Sequence, residues 1–207
     1  MSIDRLTPLG VGVLALLHEG DMHPYEMMRV MRARRDDRRF RVTNGTVYHT
    51  VARLERAGLI AEVGVDREGN RPERTTYTLT PAGSETVLDW VRRELPRADR
   101  PAEFRVALAE AHNLPRDEVA ALLSARRVLL QAELLRLRDD LSGAGLRRVP
   151  EQFLVEALRH DALLTADLEW LDAFIDGLAT GAVAWGIDEL PPDFSPHDPA
   201  RKDASRS

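Results

Sequence analysis

Leu154, Ala157, Asp161, Leu164, Leu168, Leu171, Ile175 and Leu178 follow one another at alternating spacings of three and four. Seven of these eight positions are apolar, and the exception is Asp161. That repeat lines one side of a helix and is satisfied only against another helix. At 1.5 Å per residue the helix is roughly 40 Å long, more than the rest of a small monomer covers easily. A second run, Val119, Leu123, Leu130, Leu134, Leu137 and Leu141, has compatible spacing and offers a partner. The two runs predict an obligate dimer with Leu130, Leu134, Leu137, Asp161, Leu164, Leu168, Leu171 and Ile175 at its interface. A carboxylate in such a seam costs desolvation unless it is paired. Either Asp161 meets Arg126, Arg127 or Arg136 and sets the register, or it lies at the seam's edge and faces water.

The front of the chain has a different rhythm. Thr7-Pro8 reads as an N-cap with Pro at the first helical position, ahead of Leu9, Val13, Leu14, Leu16 and Leu17. Pro24 opens a second helix with Met27, Met28, Val30 and Met31 on its apolar face, and an arginine-rich link runs from Arg32 to Arg41. Thr43 caps a third helix to about Ala57, with Val47, Val51 and Leu54 inward and Gly58 as its stop. The period then turns to alternation. Ile60 to Val65 and Thr76 to Leu79 predict two strands joined across a polar tip. Pro81-Ala82-Gly83 should end the hairpin and Ser84 should cap a fourth helix; Ser142 to Gly145 should break the long helix behind it. The expected fold is mainly α: an N-terminal winged helix-turn-helix with a two-stranded β-wing, then a C-terminal α-helical dimerisation region. The expected boundaries are 1–96, 97–187 and a disordered, Pro-, Asp- and Ser-rich tail over 188–207.

The net charge of −5 hides an asymmetry. The first hundred residues carry 17 arginines against 15 carboxylates, and the remainder 12 basic against 19 acidic side chains. A DNA-facing module on an acidic body has this distribution. With no cysteine, thiolate metal sites and disulfides are excluded. The first residues lack a basic segment feeding an apolar core, and Val11 to Leu17 is too short to span a bilayer, so no membrane partner and a cytoplasmic location are expected.

A helix in the major groove presents its N-terminal half to base edges. Off the apolar face of the third helix lie Asn44, Thr46, Tyr48, His49, Arg53 and Arg56. Asn reads adenine and Arg reads guanine in bidentate fashion, while hydroxyls suit phosphate. Gly45 leaves room for close backbone approach. Arg67, Arg71 and Arg74 flank the hairpin tip, where a guanidinium reaches a minor groove or the phosphates. The competing reading is a solvated amphipathic helix, or a winged helix used only to bind other proteins.

Leu6-Thr7-Pro8-Leu9-Gly10, His23-Pro24-Tyr25-Glu26, Gly45-Thr46-Val47-Tyr48, Arg53-Leu54-Glu55, Gly58-Leu59-Ile60 and Tyr77-Thr78-Leu79-Thr80-Pro81-Ala82-Gly83 together resemble the PadR family of transcriptional regulators. The helical rear is similar to that of its longer, virulence-activator-like members. The resemblance implies a homodimer that binds an inverted repeat in an operator duplex and represses a nearby gene. It also implies release by a small aromatic or drug-like ligand. The departures are His49, where a proline is common, and Glu73 ahead of Arg74.

Flat aromatic ligands favour tryptophan-lined pockets, which makes Trp90 and Trp170 candidates for an effector site; core packing is the alternative. No catalytic residue, cofactor or metal is expected. His160 and Asp161 are sequence neighbours and point apart on a helix, and His18, Glu19, His23 and Glu26 match no closed metal site.

Overall fold

The computed structural model describes residues 6–66, 74–186 and 189. Among these the chain forms α1 (Pro8–Glu19), α2 (Pro24–Ala33), α3 (Asn44–Arg56), β1 (Ile60–Asp66), β2 (Arg74–Leu79), α4 (Pro81–Glu94), α5 (Pro101–Glu110), α6 (Arg116–Leu146) and α7 (Val155–Thr180). The mainly α fold with an N-terminal winged helix-turn-helix and a helical rear is thus the observed one. The 188–207 stretch, expected to be disordered, lies outside the described residues apart from Glu189.

Contacts divide the chain into two units. The first holds the segment up to Arg93 together with Arg105–Glu110; the second holds Glu94–Phe104 and Ala111–Leu190.

In the first unit α1 is the central post. The Thr7 hydroxyl accepts from the Gly10 amide at 3.2 Å, closing the helix start. Val11, Val13, Leu14, Leu16 and Leu17 are all buried, so its neighbours pack around most of its surface. Met27, Met28 and Met31 of α2 pack inward; unbranched thioethers fill irregular gaps well. The wing is antiparallel, with Ile60 opposite Leu79 and Asp66 opposite Arg74. A register shift between Glu62 and Gly64 leaves Val63 unpaired and 52% exposed. Met22 extends the wing from the other side: it exchanges backbone hydrogen bonds with Tyr77, both at 3.1 Å. That third, one-residue strand carries no alternation and was not legible in the sequence.

The fourth helix starts three residues before the expected Ser84 cap. Thr80 caps it instead, its Oγ1 accepting from the Gly83 amide at 3.1 Å and donating to the Gly58 carbonyl at 2.8 Å. Pro81 opens the helix rather than ending the hairpin, because its fixed φ and missing N–H suit the first turn. A Cβ on Gly83 would lie 2.1 Å from the Leu59 carbonyl oxygen, so α4 seats directly on the start of β1.

In the second unit α6 and α7 form an antiparallel hairpin. Leu164, Leu168, Leu171 and Leu178 are buried against Val119, Leu123, Leu130 and Leu134 of the same chain, and Leu137 and Ile175 are half-buried. The seam expected to join two subunits is therefore closed within one subunit. The length argument failed because α6, at 31 residues, is as long as the seam requires. It reaches that length by running through Ser142-Gly143-Ala144-Gly145, the expected break. Each glycine costs a helix only about 1 kcal/mol, which packing of a long neighbour outweighs; Ala144 is buried.

Arg126 occupies the seam position that the apolar reading skipped. It is 3% exposed, lies 3.6 Å above the Phe104 ring, donates to the Arg97 carbonyl and reaches Asp167 at 3.4 Å. Burial lowers its pKa, and Asp167 opposes that shift. Asp161 pairs with Arg138, Nε to Oδ1 at 2.6 Å, and with none of the three arginines considered for it. Its side chain is 26% exposed, at the edge of the seam. Arg127 pairs with Asp172.

Candidate nucleic-acid interface

The third helix is set by its own first turn. Thr43 Oγ1 accepts from the Thr46 amide at 3.2 Å, and Thr46 Oγ1 accepts from the Thr43 amide at 3.0 Å. This reciprocal box satisfies two amides that a helix start otherwise leaves open. It also engages the Thr46 hydroxyl, which the sequence reading assigned to phosphate. Gly58, at φ 71°, ends the helix in the left-handed conformation glycine adopts freely. Val47, Thr50, Val51 and Leu54 face the core, and Asn44, Gly45, Tyr48, His49, Ala52 and Arg56 face outward.

The outward residues differ in how free they are. Tyr48 is 45% exposed, and its ring meets His23 edge-on at 6.3 Å. Asn44 Oδ1 accepts from Arg32 Nη2 at 3.3 Å, which brings a cation from α2 beside the start of α3. A Cβ built on Gly45 meets nothing within 4 Å, so no packing demands glycine there. Arg53 departs from its expected place on the reading face. It is half-buried, and its Nη2 donates to Thr7 Oγ1 at 3.1 Å. Arg56 Nε turns back to the Ala52 carbonyl at 3.1 Å.

His23, the N-cap of α2, meets this surface through Tyr48, and Tyr25 follows it in the first turn of α2; sequence reasoning assigned neither to DNA. Tyr25 is 60% exposed, and its amide donates to His23 Nδ1 at 3.0 Å. The signal was the N-cap position of His23 before Pro24, which places its ring at the start of α2 and beside Tyr48 of α3. In the wing, Arg74 opens β2 opposite Asp66, whereas Arg67 and Arg71 lie outside the described residues.

The proposed effector tryptophans have different surroundings. Trp90 is 1% exposed and belongs to the core of α4's inner face. Trp170 is 41% exposed and stacks on Phe174, with ring centroids 5.1 Å apart and planes 12° from parallel. Trp185, unassigned in the sequence reading, meets Phe174 edge-on at 5.9 Å. A cavity of about 450 Å³ opens elsewhere in the second unit, lined by Pro96, Arg97, Leu129, Glu133 and Arg136 among others, and neither Trp90 nor Trp170 lines it.

Among the described residues no group of three or more metal-ligating side chains converges, and no helix is long and apolar enough to cross a membrane.

A capped third helix with an exposed polar face, resting on two others and followed by a short antiparallel wing, defines a winged helix-turn-helix protein. Residues 13–88 match the family described as the transcriptional regulator PadR-like family. That segment is a PadR-like domain. No curated protein matches it. Among solved structures, a transcriptional regulator from Clostridium thermocellum is 31% identical over 39% of this chain and 74% of its own, with a TM-score of 0.33. Bacillus subtilis PadR in complex with operator DNA is 19% identical over 82% of this chain and 97% of its own, with a TM-score of 0.40. The same protein in complex with p-coumaric acid is 19% identical over 84% and 99%, with a TM-score of 0.36.

Proposed function

We propose that this regulator binds duplex operator DNA as a homodimer at an inverted repeat and represses the adjacent gene. The observation that carries the reading is the split of α3. One face is buried, and the other offers Asn44, Gly45, Tyr48 and His49 near its N-terminus with no core role to explain them. Arg32, Tyr25 and Arg74 lie on the flanking elements, and phosphate contact is the role assigned to Arg67 and Arg71 from the sequence. On this reading 1–96 reads the operator and 97–187 joins the subunits, and the protein acts in the cytoplasm, where its operator is.

The hairpin supplies a different dimer surface from the one its heptad seam suggested. On α6, Ala121, Ala125, Val128, Ala132 and Leu135 recur at spacings of four and three, and all are exposed. On α7, Leu158, Ala162, Ala166 and Trp170 do the same at spacings of four. Two hairpins meeting along these rows form a four-helix bundle. The effector is a flat aromatic compound, and the exposed stack of Trp170 on Phe174 supports a site there rather than at Trp90.

A gel shift on the chain's own upstream DNA tests the reading. A retarded band that survives nonspecific competitor supports it, and no band at micromolar protein overturns it.

A further inference from the structure

Arg32 lies in the last turn of α2, and Asn44 is the first residue of α3. Their side chains meet, with Arg32 Nη2 donating to Asn44 Oδ1 at 3.3 Å. A guanidinium donates only and accepts nothing, so the amide atom that faces it is the oxygen. Chemistry thus sets which way round the Asn44 amide lies: its oxygen is turned to α2 and its NH2 is left for another partner. The backbone beneath is fixed by the Thr43–Thr46 box, and Tyr48, one turn on, continues the same exposed face.

This hydrogen bond changes what the start of α3 can read. Adenine's major-groove edge sets an acceptor, N7, beside a donor, N6–H2, and asparagine matches it by offering its oxygen and its nitrogen together. The Asn44 oxygen keeps a second lone pair, but an adenine brought to it would set N6–H2 against the Arg32 guanidinium, donor against donor. What the pair offers freely is donors: the Asn44 NH2 and the remaining N–H groups of Arg32. Among the described residues neither side chain makes another hydrogen bond, and no carboxylate pairs with Arg32. The other arginine of α2, Arg29, is by contrast held by Glu26 at 3.4 Å. An exposed face of donors matches guanine's edge, where N7 and O6 both accept.

We propose that Arg32 is a specificity-determining residue, and that the Arg32–Asn44 pair reads a guanine where the asparagine alone would read adenine. Arg32 donates to the N7 and O6 of the base. Asn44 holds the guanidinium in place through its oxygen and excludes adenine through the same bond. The inference rests on the DNA-binding reading above and names the base that one of its contacts recognises.

A competition gel shift with the full chain tests it, using the upstream duplex and versions in which each base pair is exchanged in turn. At one G·C pair of each half-site, exchange to A·T should cost the wild type about tenfold in affinity. Replacing that guanine by 7-deazaguanine, which lacks the N7 acceptor, should weaken binding as well. Arg32→Ala frees the Asn44 oxygen, so at that pair alone the preference should pass to A·T. Arg32→Lys keeps the charge without the planar fork and should also lose the preference for guanine. Asn44→Ala removes the anchor and should flatten the preference at the same pair. Both side chains are exposed, so all three variants should keep the wild-type melting temperature. An unchanged base preference in Arg32→Ala would overturn the proposal. So would a uniform loss over all duplexes that Arg32→Lys restores, which would make Arg32 a phosphate contact. In both cases the duplex is still bound and the DNA-binding reading stands. No duplex bound by the wild type overturns the two together.

Discussion

Arg53 of α3 donates to the hydroxyl oxygen of Thr7 at the start of α1, 3.1 Å away, and that oxygen also accepts from the Gly10 amide. One hydroxyl thus caps one helix and anchors another. The Arg53 Nε is buried without a hydrogen-bond partner in the structure. On the proposed function, Arg53 should therefore act on DNA binding through the placement of α3. Arg53→Ala should cost about 1 kcal/mol of stability, measured by urea unfolding, and weaken binding to all duplexes alike. Lost discrimination at one base pair with unchanged stability would return Arg53 to the reading face.

Gly45 and Tyr48 should separate folding from binding. Alanine at Gly45 has open space around it and a better helix propensity, so stability should hold or rise slightly. Operator binding should fall, because the added methyl stands between the helix start and the DNA backbone. Tyr48→Phe should likewise leave the melting temperature in place and cost about 1 kcal/mol of affinity in a titration. Wild-type affinity in both variants would remove them from the interface.

Gly83→Ala tests the junction between wing and α4. The new methyl would sit 2.1 Å from the Leu59 carbonyl oxygen, a backbone atom that has nowhere to go without moving β1. A loss of about 2 kcal/mol or more in chemical unfolding is expected, of the size seen for overpacked cores. Unchanged stability would mean that α4 does not seat on β1 in this way.

The two apolar rows of the hairpin predict opposite outcomes for similar changes. Leu168 is 6% exposed against α6, so Leu168→Asp should unfold the hairpin. Val128 and Leu135 are 64% and 60% exposed, so Val128→Asp or Leu135→Asp should keep the helical circular dichroism spectrum and yield monomers by sedimentation. Asp161→Leu should leave the association state as it is, since Asp161 is paired with Arg138 inside one subunit. Dimers that survive both Val128→Asp and Leu135→Asp would rule out the outer face.

Stability should depend on pH through Glu110. Its carboxyl titrates at about 7 in the folded chain and near 4.5 when unfolded, so the folded state holds the extra proton between those values. The stabilisation is complete below the lower value, declines as pH rises, and is gone above the higher one. It amounts to a few kcal/mol at most. Glu110→Gln should flatten that slope in urea titrations between pH 4.5 and pH 7; a slope equal to wild type would exclude Glu110 as its source.

Local chemistry was legible wherever a residue's role depends on its near neighbours in the chain. Thr7-Pro8, the Thr43 cap and Gly58 announced helix ends because capping involves residues three or four apart. The change from a spacing of three and four to alternation announced the wing. The inward faces of α1, α3 and α7 followed from the same periodicity. Partners distant in the chain were a different matter. Nothing in the Leu154 to Leu178 repeat says whether the facing helix belongs to the same subunit, since an apolar seam is satisfied equally by either. That choice came from α6 continuing through Ser142 to Gly145, where packing overcame glycine's weak helix propensity. In the same way, Arg53 left the reading face because Thr7 lay within its reach, and Asp161 found Arg138 because the hairpin register brought them together. Glu19, Asp36 and Glu110 are ordinary acidic residues along the chain. Folding alone gathers them around Arg34 and Arg39.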